Sequence, residues 1–299
     1  MSTDLNLLLA LDALLQERNV SRAAQRLGLS QPTVSAALGR LRRHFDDELL
    51  HRTGNHYTLT PLAERLTEQA AMALSWTNRV FENRAEFDPA TAAREFTVIA
   101  SDAQLPNFGR ALAELLKREA PNLRVRFQHS TRSVVLQAET YLRDADMLVL
   151  PQGILTGYPS LDLYQDRWAC LVDGDGPVGL DVADLRARPW VLPYASPFPV
   201  LSVLHRLHAA GVEPWAEITT ENFLAVPHLV RGTDRIGLVP ERVARLNGGT
   251  PGLTTARLPF ELGILVEALW WHPINDLDPG HRWLREAATR AAATITGLD

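Results

Sequence analysis

The chain has 299 residues, of which 46% are hydrophobic and 22% are charged, and its formal net charge is −5. This length allows two or three domains, each with its own hydrophobic core. No run of about 18 apolar residues occurs, so no membrane-spanning helix is predicted. Residues 1–4 lack the basic segment of a secretory signal, and the single cysteine, Cys170, excludes a disulfide framework and a cysteine-based zinc cluster. The sequence therefore predicts a protein of the reducing cytoplasm.

Charge is distributed unevenly along the chain. Residues 1–60 carry seven arginines against six carboxylates, whereas residues 61–299 carry 23 basic against 29 acidic side chains. A slightly basic N-terminal segment on an acidic body is compatible with DNA contact through that segment. Many enzymes show the same distribution of charge, so the sequence motifs must decide between a DNA-binding protein and an enzyme.

Three short helices are predicted at the N-terminus. Leucines at helical spacing fill residues 4–17. Ser21 is a natural N-cap for a second helix that ends at Gly28. Ser30 caps a third helix that runs to about Phe45, with a proline in its first turn. Short helices joined by a tight turn predict a helix-turn-helix.

The third helix has an apolar face and an opposite face of small and polar residues. Val34 and Leu41 belong to the apolar face, which packs on the other two helices. Gly39 on the opposite face lowers helix propensity, but it allows close approach to the floor of a major groove. Gln31 and its polar neighbours can contact base edges or phosphates, and Arg42 adds positive charge. The alternative is an ordinary solvated helix face.

A basic hairpin follows the third helix. Gly54-Asn55, a turn signal, separates two strand-like runs within residues 49–60. Arg52 is placed to reach a phosphate or the minor groove, and the hairpin is interpreted as a wing. His51 and His56 do not predict a metal site, because no carboxylate or cysteine completes one. The predicted DNA-contacting residues are Ser21, Gln31, Pro32, Thr33, Ser35, Ala36, Arg40, Arg43 and Arg52.

A long helix connects this segment to the rest of the chain. Thr60 caps it, Pro61 opens it, and it runs to about Phe81, before a predicted hinge at residues 86–91. Such an apolar seam packs against its own domain or joins two copies, and for a helix between two domains we favour a dimer. The seam residues recur at spacings of three and four: Leu62, Leu66, Ala70, Ala73, Trp76 and Val80.

From residue 94 onward, strand and helix patterns alternate, which predicts an α/β fold. No Gly-rich phosphate loop, Gly-x-Ser-x-Gly elbow or His-Glu-x-x-His pair occurs. An enzyme would have to use His272, Asp276 and His281, whose irregular spacing fits surface loop chemistry better. The predicted strands are 96–100, 123–127, 147–150, 168–172, 190–192, 216–218, 237–239 and 265–271. The predicted helices are 105–118, 133–143, 181–186, 199–210, 222–231 and 280–293.

Several of these segments carry a family resemblance. The run from Asp4 to Leu8, the segment Ser21–Ser35 (SRAAQRLGLSQPTVS) and Leu59-Thr60 resemble the N-terminal domain of LysR-type transcriptional regulators. The Ser101-Asp102 pair and residues 269–272 (LWWH) are similar to the nodulation-regulator and aromatic-catabolism branch. The resemblance is carried by specific motif residues over about the first 60 positions. In the remainder of the chain it depends on the pattern of strands and helices more than on motifs. Family members often carry arginine at the positions of Ala36 and Asn55, so this chain offers fewer guanidinium contacts to DNA.

The resemblance implies an α/β protein with an N-terminal winged helix-turn-helix, a long linker helix and an effector domain of the periplasmic-binding-protein type II fold. It implies double-stranded promoter DNA, a small-molecule effector, a homodimer or homotetramer and RNA polymerase as partners. It implies no catalytic residue, cofactor or metal, and a cytoplasmic, nucleoid-associated protein. The expected boundaries are 1–60 for DNA binding, 61–91 for linker and dimerisation, and 92–299 for the effector domain, with 92–165 plus 266–299 as subdomain 1 and 166–265 as subdomain 2.

The effector site is expected between the two subdomains. Open α/β sheets bind ligands at the carboxyl ends of their strands, and polar residues follow the first two strands there. Helix N-terminal amides favour an anion, whereas ionised Asp102 repels one, so carboxylate and neutral phenolic effectors both stay open. Alternatively, Ser101 and Asp102 merely cap the next helix. The predicted effector contacts are Ser101, Asp102, Thr131, Arg132, Pro197, Phe198 and Pro199.

Other classes of function share parts of this pattern. A constitutive DNA-binding regulator without an effector has the same motifs. An α/β enzyme with a DNA-binding head lacks a recognisable catalytic motif, and an exported solute-binding protein needs a signal that is not seen. The sequence does not name the effector, the promoter or the sign of regulation.

Overall fold

The computed structural model describes residues 4–53, 56–81, 87–175, 178–193, 202–246 and 251–295. The chain forms two compact units, Met1–Ala85 and Glu86–Asp299. Along the described residues, no helix is long and apolar enough to cross a membrane.

The first unit is a helix-turn-helix followed by a hairpin and a long helix, as predicted. In the hairpin, Arg52 pairs with Tyr57 in an antiparallel register. The predicted turn residues, Gly54 and Asn55, lie outside the described residues. The elements are α1 (Leu5–Glu17), α2 (Val20–Leu27), α3 (Gln31–Phe45), β1 (Leu50–Thr53), β2 (His56–Leu59) and α4 (Pro61–Phe81).

Helix caps fix where these helices begin. Ser30 caps α3 and Thr60 caps α4, as expected; the Ala63 N–H donates to the Thr60 hydroxyl over 3.1 Å. The predicted cap of α2 is wrong. Asn19 caps this helix by accepting from the Arg22 N–H over 3.0 Å, and Ser21 lies exposed within the first turn. Asparagine and serine are equally good N-caps, so sequence preference did not separate them.

The predicted dimer seam on α4 lies partly inside the first unit. Ala70 is buried in its hydrophobic core, and Leu66 packs against the same core. Ala70 therefore serves the fold of its own unit, whereas Leu66 is only partly buried there, and the dimer seam stays a prediction. The side chains of Trp76 and Val80 lie outside the described part of the chain.

The second unit is a mixed α/β structure in two lobes, defined by their sheets. The 14-residue strand β6 belongs to both: its first half pairs with β11, and its second half pairs with β9. The strand order is β4-β3-β5-β11-β6-β9-β7-β8, and β10 pairs with β6. The strands are β3 (Glu95–Ala100), β4 (Arg124–His129), β5 (Met147–Pro151), β6 (Ser160–Asp173), β7 (Trp190–Pro193), β8 (Ala216–Thr220), β9 (Ile236–Pro240), β10 (Leu253–Thr255) and β11 (Ile264–Trp270).

Helices cover both lobes, and several differ from their predicted extent. Residues 105–109 form a π-helical turn before α5, and the predicted helix 133–143 is broken at Gln137. Helix α11 and strand β10 were not predicted from the sequence. The helices are α5 (Arg110–Glu119), α6 (Arg132–Leu136), α7 (Ala138–Asp144), α8 (Val182–Ala187), α9 (Ser202–Ala209), α10 (Val226–Val230), α11 (Glu241–Leu246) and α12 (Pro279–Ala293).

The two faces of β11 belong to different hydrophobic cores. Trp270 is buried with the core that extends into the second lobe, and Trp271 with the core under α5 and α12. Neighbouring residues of a strand point to opposite faces, so Leu269 and Trp270 enter different cores, and Trp271, directly after the strand, joins the core of Leu269. The predicted fold class, a winged helix-turn-helix with a two-lobed α/β domain, is confirmed.

Candidate functional site

The outer face of α3 is the first candidate site. The predicted contact residues of this helix are all exposed, whereas Val34, Leu38 and Leu41 on its other side are buried. At Gly39, a Cβ atom placed on the backbone would meet no neighbouring atom within 4 Å. The centre of this face, at Gly39, is therefore not covered by other described residues of the first unit. A partner surface can approach the helix backbone there. The exposed residues are Gln31, Pro32, Thr33, Ser35, Ala36, Arg40 and Arg43.

The arginines of α3 are not equivalent. Arg42 folds back on its own unit: its Nε donates to the Glu48 carbonyl over 2.8 Å, and its guanidinium pairs with the Glu48 carboxylate. It is therefore a structural residue rather than the free cation that was expected. Arg40 pairs with Asp4 over 2.9 Å at the surface, and its hydrogen bond holds the pKa of Asp4 below the usual value. Arg43 is exposed and donates to the carbonyl of Gly39.

Two nominated residues lie outside α3. Ser21 is exposed near the start of α2. Arg52 lies in β1 of the hairpin, and its side chain is outside the described part of the structure. Thr33 is partly committed to the fold, because its hydroxyl lies 2.7 Å from that of Ser30.

The second candidate site is a cavity in the second unit that is partly open to solvent, and its empty space of about 480 Å³ includes part of that open solvent. Trp168 and Phe223 form an aromatic wall, with ring centroids 6.2 Å apart. Ser101 is the nominated residue that lines it. The lining residues are Ser101, Ala103, Gln104, Ser130, Val135, Val149, Leu150, Pro151, Ile154, Trp168, Phe223, Pro240, Leu265 and Glu267.

Asp102 binds the opposite lobe. Its carboxylate accepts hydrogen bonds from the backbone N–H groups of Phe223 and Leu224, over 3.1 and 2.8 Å. The expectation that Ser101 and Asp102 cap the next helix is wrong. The Ser101 N–H instead donates to the side chain of Gln104 over 2.7 Å.

The other nominated effector residues lie at the second strand end and beyond. Thr131 caps α6 by accepting from the Val134 N–H. The backbone N–H of Arg132 donates to the Glu221 carboxylate of the other lobe over 3.3 Å. Neither side chain is among the described residues that line the cavity. Pro197, Phe198 and Pro199 lie outside the described residues.

Glu267 gives the cavity its electrostatic character. Its carboxylate accepts from Gln104 Nε2 over 2.7 Å and is 5% exposed. Burial, reinforced by the nearby charge of Asp166, raises the pKa of Glu267 to about 8 against the opposing hydrogen bond. Burial also raises the pKa of Asp166 to about 6, although Arg242 lies 3.9 Å away. Glu267 is therefore largely protonated at neutral pH.

Sequence reasoning missed Ser130, Trp168, Phe223, Gln104 and Glu267 as cavity residues. One signal was present, because Glu267 is the single charged residue in the run Ile264–Trp270. A carboxyl group at a buried strand position needs a specific partner or a bound proton.

The residues of the enzyme alternative serve the fold. His281 is fully buried, its Nε2 lies 2.6 Å from the Asp146 carbonyl, and its Nδ1 lies 2.6 Å from the Arg285 guanidinium. The Trp271 indole donates to Asp276 over 2.6 Å, and His272 accepts from the Ile274 N–H. In the described ranges, no three His, Cys, Asp or Glu residues gather as a metal-ligand set.

A helix-turn-helix unit followed by an α/β unit with an internal cavity is the architecture of a transcriptional regulator with an effector-binding domain. Comparison with known families agrees with this class. A family of bacterial regulatory helix-turn-helix proteins, the lysR family, matches residues 5–64, and the LysR substrate binding domain matches residues 90–293. The chain belongs to the LysR family of transcriptional regulators.

Named relatives and solved structures support the same assignment. Nodulation protein D 2 of Rhizobium leguminosarum bv. phaseoli is 32% identical, over 98% of this chain and 93% of its own length. Nodulation protein D of Bradyrhizobium sp. (strain ANU 289) is 31% identical, over 98% of this chain and 87% of its own length. The probable transcriptional regulator PA0477 of Pseudomonas aeruginosa is 28% identical, covers 96% of this chain and 97% of its own, and gives a TM-score of 0.75. CbnR, a LysR family transcriptional regulator, is 20% identical and covers 97% of this chain and 99% of its own, with a TM-score of 0.64. At this low identity, the similarity shows the fold alone.

Proposed function

We propose that this regulator contacts promoter DNA through the outer face of α3 and the hairpin. The observation that supports this is the exposure of every nominated α3 residue on one face, opposite three buried residues. Gln31 reads a base edge, while Arg43 and Arg52 neutralise phosphates. Arg40 exchanges Asp4 for a phosphate on binding. Pro32, Thr33, Ser35 and Ala36 of the same face, together with Ser21 of α2, complete the proposed contact surface.

Selection of binding sites from random duplex DNA tests this proposal. Gln31→Ala is expected to relax discrimination at one base position, by about 1–3 kcal/mol. Arg43→Ala is expected to weaken binding to all DNA sequences alike and to reduce the salt dependence of the binding affinity, because phosphate contacts act through counterion release. Gln69→Ala, at an exposed position of α4, is the matched control. An unchanged sequence preference in Gln31→Ala would remove the base-reading role.

We also propose that a small-molecule effector occupies the cavity and is contacted by Ser101. The supporting observation is that two residues that line the cavity, Trp168 and Ser130, each carry a buried side-chain polar atom, Nε1 and Oγ, with no hydrogen-bond partner among the described residues. Buried polar groups without partners are rare and are expected to be satisfied by a ligand or water. Asp102 and the Arg132 N–H link the two lobes beside the site, Thr131 lies next to them as the cap of α6, and Pro197, Phe198 and Pro199, outside the described residues, stay nominated as effector contacts.

A thermal-stability screen of small molecules tests the effector site, because a ligand that binds only the folded chain raises the midpoint. Hits are expected to quench indole fluorescence in the wild type but less in Trp168→Phe. Trp215→Phe is the matched control, since Trp215 is 63% exposed and lies outside the cavity lining. If no compound stabilises the chain, the regulator is constitutive. If hits bind Trp168→Phe and wild type alike, the cavity is not the site.

The rest of the proposal concerns assembly and location. The chain acts as a homodimer or homotetramer in the cytoplasm, associated with the nucleoid, with RNA polymerase as a partner and no enzymatic activity. Residues 1–60, 61–91 and 92–299 act as the DNA-binding, linker and effector segments, with lobe boundaries near 165 and 265. Leu62 and Ala73 of α4, which are partly exposed, are candidates for the dimer contact. Molar mass by light scattering at micromolar concentration tests the assembly.

A further inference from the structure

The Asp4 carboxylate uses its two oxygens for two different contacts. Its Oδ1 accepts a hydrogen bond from the Asn6 N–H over 3.1 Å and so caps α1. Its Oδ2 lies 2.9 Å from a guanidinium nitrogen of Arg40 on α3. Because the cap already fixes the side chain, pairing with Arg40 costs little further conformational entropy. The carboxylate is therefore an intramolecular counterion of Arg40.

Arg40 belongs to the outer face of α3. Ala36, Arg40 and Arg43 follow one another at spacings of four and three, which places them in one stripe along the helix. The Arg40 side chain is 52% exposed, so a phosphate can reach its guanidinium without rearrangement of the core. A phosphate that binds Arg40 must therefore compete with Asp4.

Arg43 lies in the same stripe but makes a different contact. Its Nε donates to the carbonyl of Gly39 over 3.3 Å, and no carboxylate pairs with it among the described residues. A carbonyl oxygen does not neutralise a guanidinium charge, so Arg43 keeps its positive charge at the surface. The stripe therefore offers DNA one arginine with a carboxylate partner and one without.

The carboxylate partner changes what Arg40 contributes to DNA affinity. Sequence-independent binding is driven by the counterions that DNA releases when positive charge neutralises its phosphates. Arg43 brings a full charge to the DNA, whereas Arg40 and Asp4 together bring none. A surface ion pair typically changes an equilibrium constant by less than about fivefold, so a phosphate can displace Asp4 from Arg40. The α1 cap then keeps the carboxylate nearby, where it repels the DNA backbone.

We infer that Asp4 restrains sequence-independent DNA binding, because it neutralises Arg40 in the free protein and stays beside the phosphate in the complex. This inference rests on the proposed function of the outer face of α3 as the DNA interface. Asp4 is thus an autoinhibitory contact within the first unit. Base contacts such as that of Gln31 then supply a larger share of the affinity for a promoter than they would beside an unpaired Arg40.

Asp4→Asn separates the charge of Asp4 from its role as a cap. Asparagine caps helices as well as aspartate does, so urea unfolding of Asp4→Asn is expected to match that of the wild type. The full chain is titrated into a fluorescein-labelled duplex of arbitrary sequence, and fluorescence anisotropy gives the affinity over a range of salt concentrations. We expect Asp4→Asn to bind about threefold or more tightly at low salt. Its plot of log affinity against log salt should be steeper by up to about one unit.

Glu64→Gln is the matched control for net charge, since it removes an exposed carboxylate from α4. It should change the affinity and the salt dependence less than Asp4→Asn does. Asp4→Ser is a second test of the charge, because serine also caps helices and is neutral. Asp4→Ser must bind the duplex more tightly than the wild type, as Asp4→Asn does. An affinity and salt dependence of both Asp4 variants that match the wild type would overturn the inference.

Arginine variants made with and without the Asp4 carboxylate assign the effect to the ion pair. Arg43→Ala should reduce the salt dependence by a similar amount in the wild type and in Asp4→Asn. Arg40→Ala should reduce it more in Asp4→Asn, since only there does Arg40 bring a net charge to the DNA. Equal losses from Arg40→Ala in the two backgrounds would also overturn the inference.

The same measurements distinguish two kinds of failure. If Arg43→Ala weakens binding but neither Asp4 variant strengthens it, the proposed interface is supported and only the role of Asp4 is wrong. If Arg40→Ala and Arg43→Ala leave binding unchanged in both backgrounds, the outer face of α3 does not contact DNA, and the proposed function itself fails.

Discussion

Asp102 and Leu224 are 122 residues apart in sequence, and the Asp102 carboxylate accepts the Leu224 N–H over 2.8 Å. The other carboxylate oxygen accepts from the Phe223 N–H. The loop after β3 in one lobe is thereby fastened to the turn before α10 in the other. Glu221 and the Arg132 N–H form a second link of the same kind in the reverse direction. Two carboxylates, through three hydrogen bonds to backbone amides, thus link the two lobes.

Removing the Asp102 carboxylate is expected to destabilise the second unit. Asp102→Ala leaves the N–H groups of Phe223 and Leu224 without an acceptor, which costs about 1–3 kcal/mol of unfolding free energy. Asp102→Asn keeps one acceptor oxygen and should lose less. Urea unfolding measures the loss, and hydrogen exchange at the two amides locates it. Unchanged exchange at both amides in Asp102→Ala would contradict the assigned contact.

Gly39→Ala is expected to separate stability from DNA affinity. Alanine in the interior of α3 stabilises the helix by about 0.5–1 kcal/mol, and the added methyl group meets no neighbour. On a face that approaches DNA closely, the same methyl group weakens binding. Thermal unfolding and gel-shift titration measure the two effects. Ala36→Gly, the reverse change on the same face, is the control, since it destabilises the helix without adding bulk.

Tight DNA binding by a stabilised Gly39→Ala variant would argue against the proposed interface. In that case the small residues on the outer face of α3 would not be needed for close approach of DNA to the helix. The two measurements come from one purified protein, so misfolding cannot explain a variant that melts later and binds DNA less well.

His281 is expected to make the fold sensitive to acid. Burial, with the Arg285 charge as a smaller contribution, lowers the pKa of His281 from 6.5 to about 4. Its Nδ1 accepts from Arg285, and its Nε2–H donates to the Asp146 carbonyl, which fits the neutral ring. Between these two pKa values the unfolded chain binds a proton that the native chain does not. Stability attributable to His281 therefore falls as the pH drops from about 6.5 to 4.

Urea unfolding across that pH range tests the role of His281. The difference in unfolding free energy between wild type and His281→Gln should shrink as the pH falls, because only the wild type loses the contribution. His228→Gln, at an exposed position of α10, is the matched control and should keep the wild-type slope. A constant difference between wild type and His281→Gln would mean that the ring does not titrate in this way.

Glu267 is expected to give the opposite dependence on pH. Burial raises its pKa from 4.5 to about 8, so between these values the native chain holds a proton that the unfolded chain has released. Stability from this site therefore falls as the pH rises through the window. Glutamine cannot ionise, and the unfolding free energy of Glu267→Gln minus that of the wild type should grow up to about pH 8. A flat difference would place an ionised Glu267 in the cavity already at neutral pH.

Local structure was largely predictable from the sequence. The three N-terminal helices, the hairpin and most strands of the second unit follow from hydrophobic period and turn residues, which act over a few positions. Errors occurred where two local signals were equivalent, as with Asn19 and Ser21 before α2. The α4 seam was ambiguous for a similar reason: helical spacing predicts an apolar face, but not which surface covers Leu66 and Ala70.

The sequence by itself determined that this chain is a helix-turn-helix regulator with an α/β effector domain, because amphipathic periods, caps and motif residues are local properties of the chain. Only the tertiary structure decided the chemistry of the cavity. Gln104 meets Glu267 across 163 positions, and Asp102 meets the Phe223 amide across 121. Desolvation of Glu267 depends on atoms from several strands packed around it. Burial and long-range pairing therefore fix its protonation, and no local pattern encodes them.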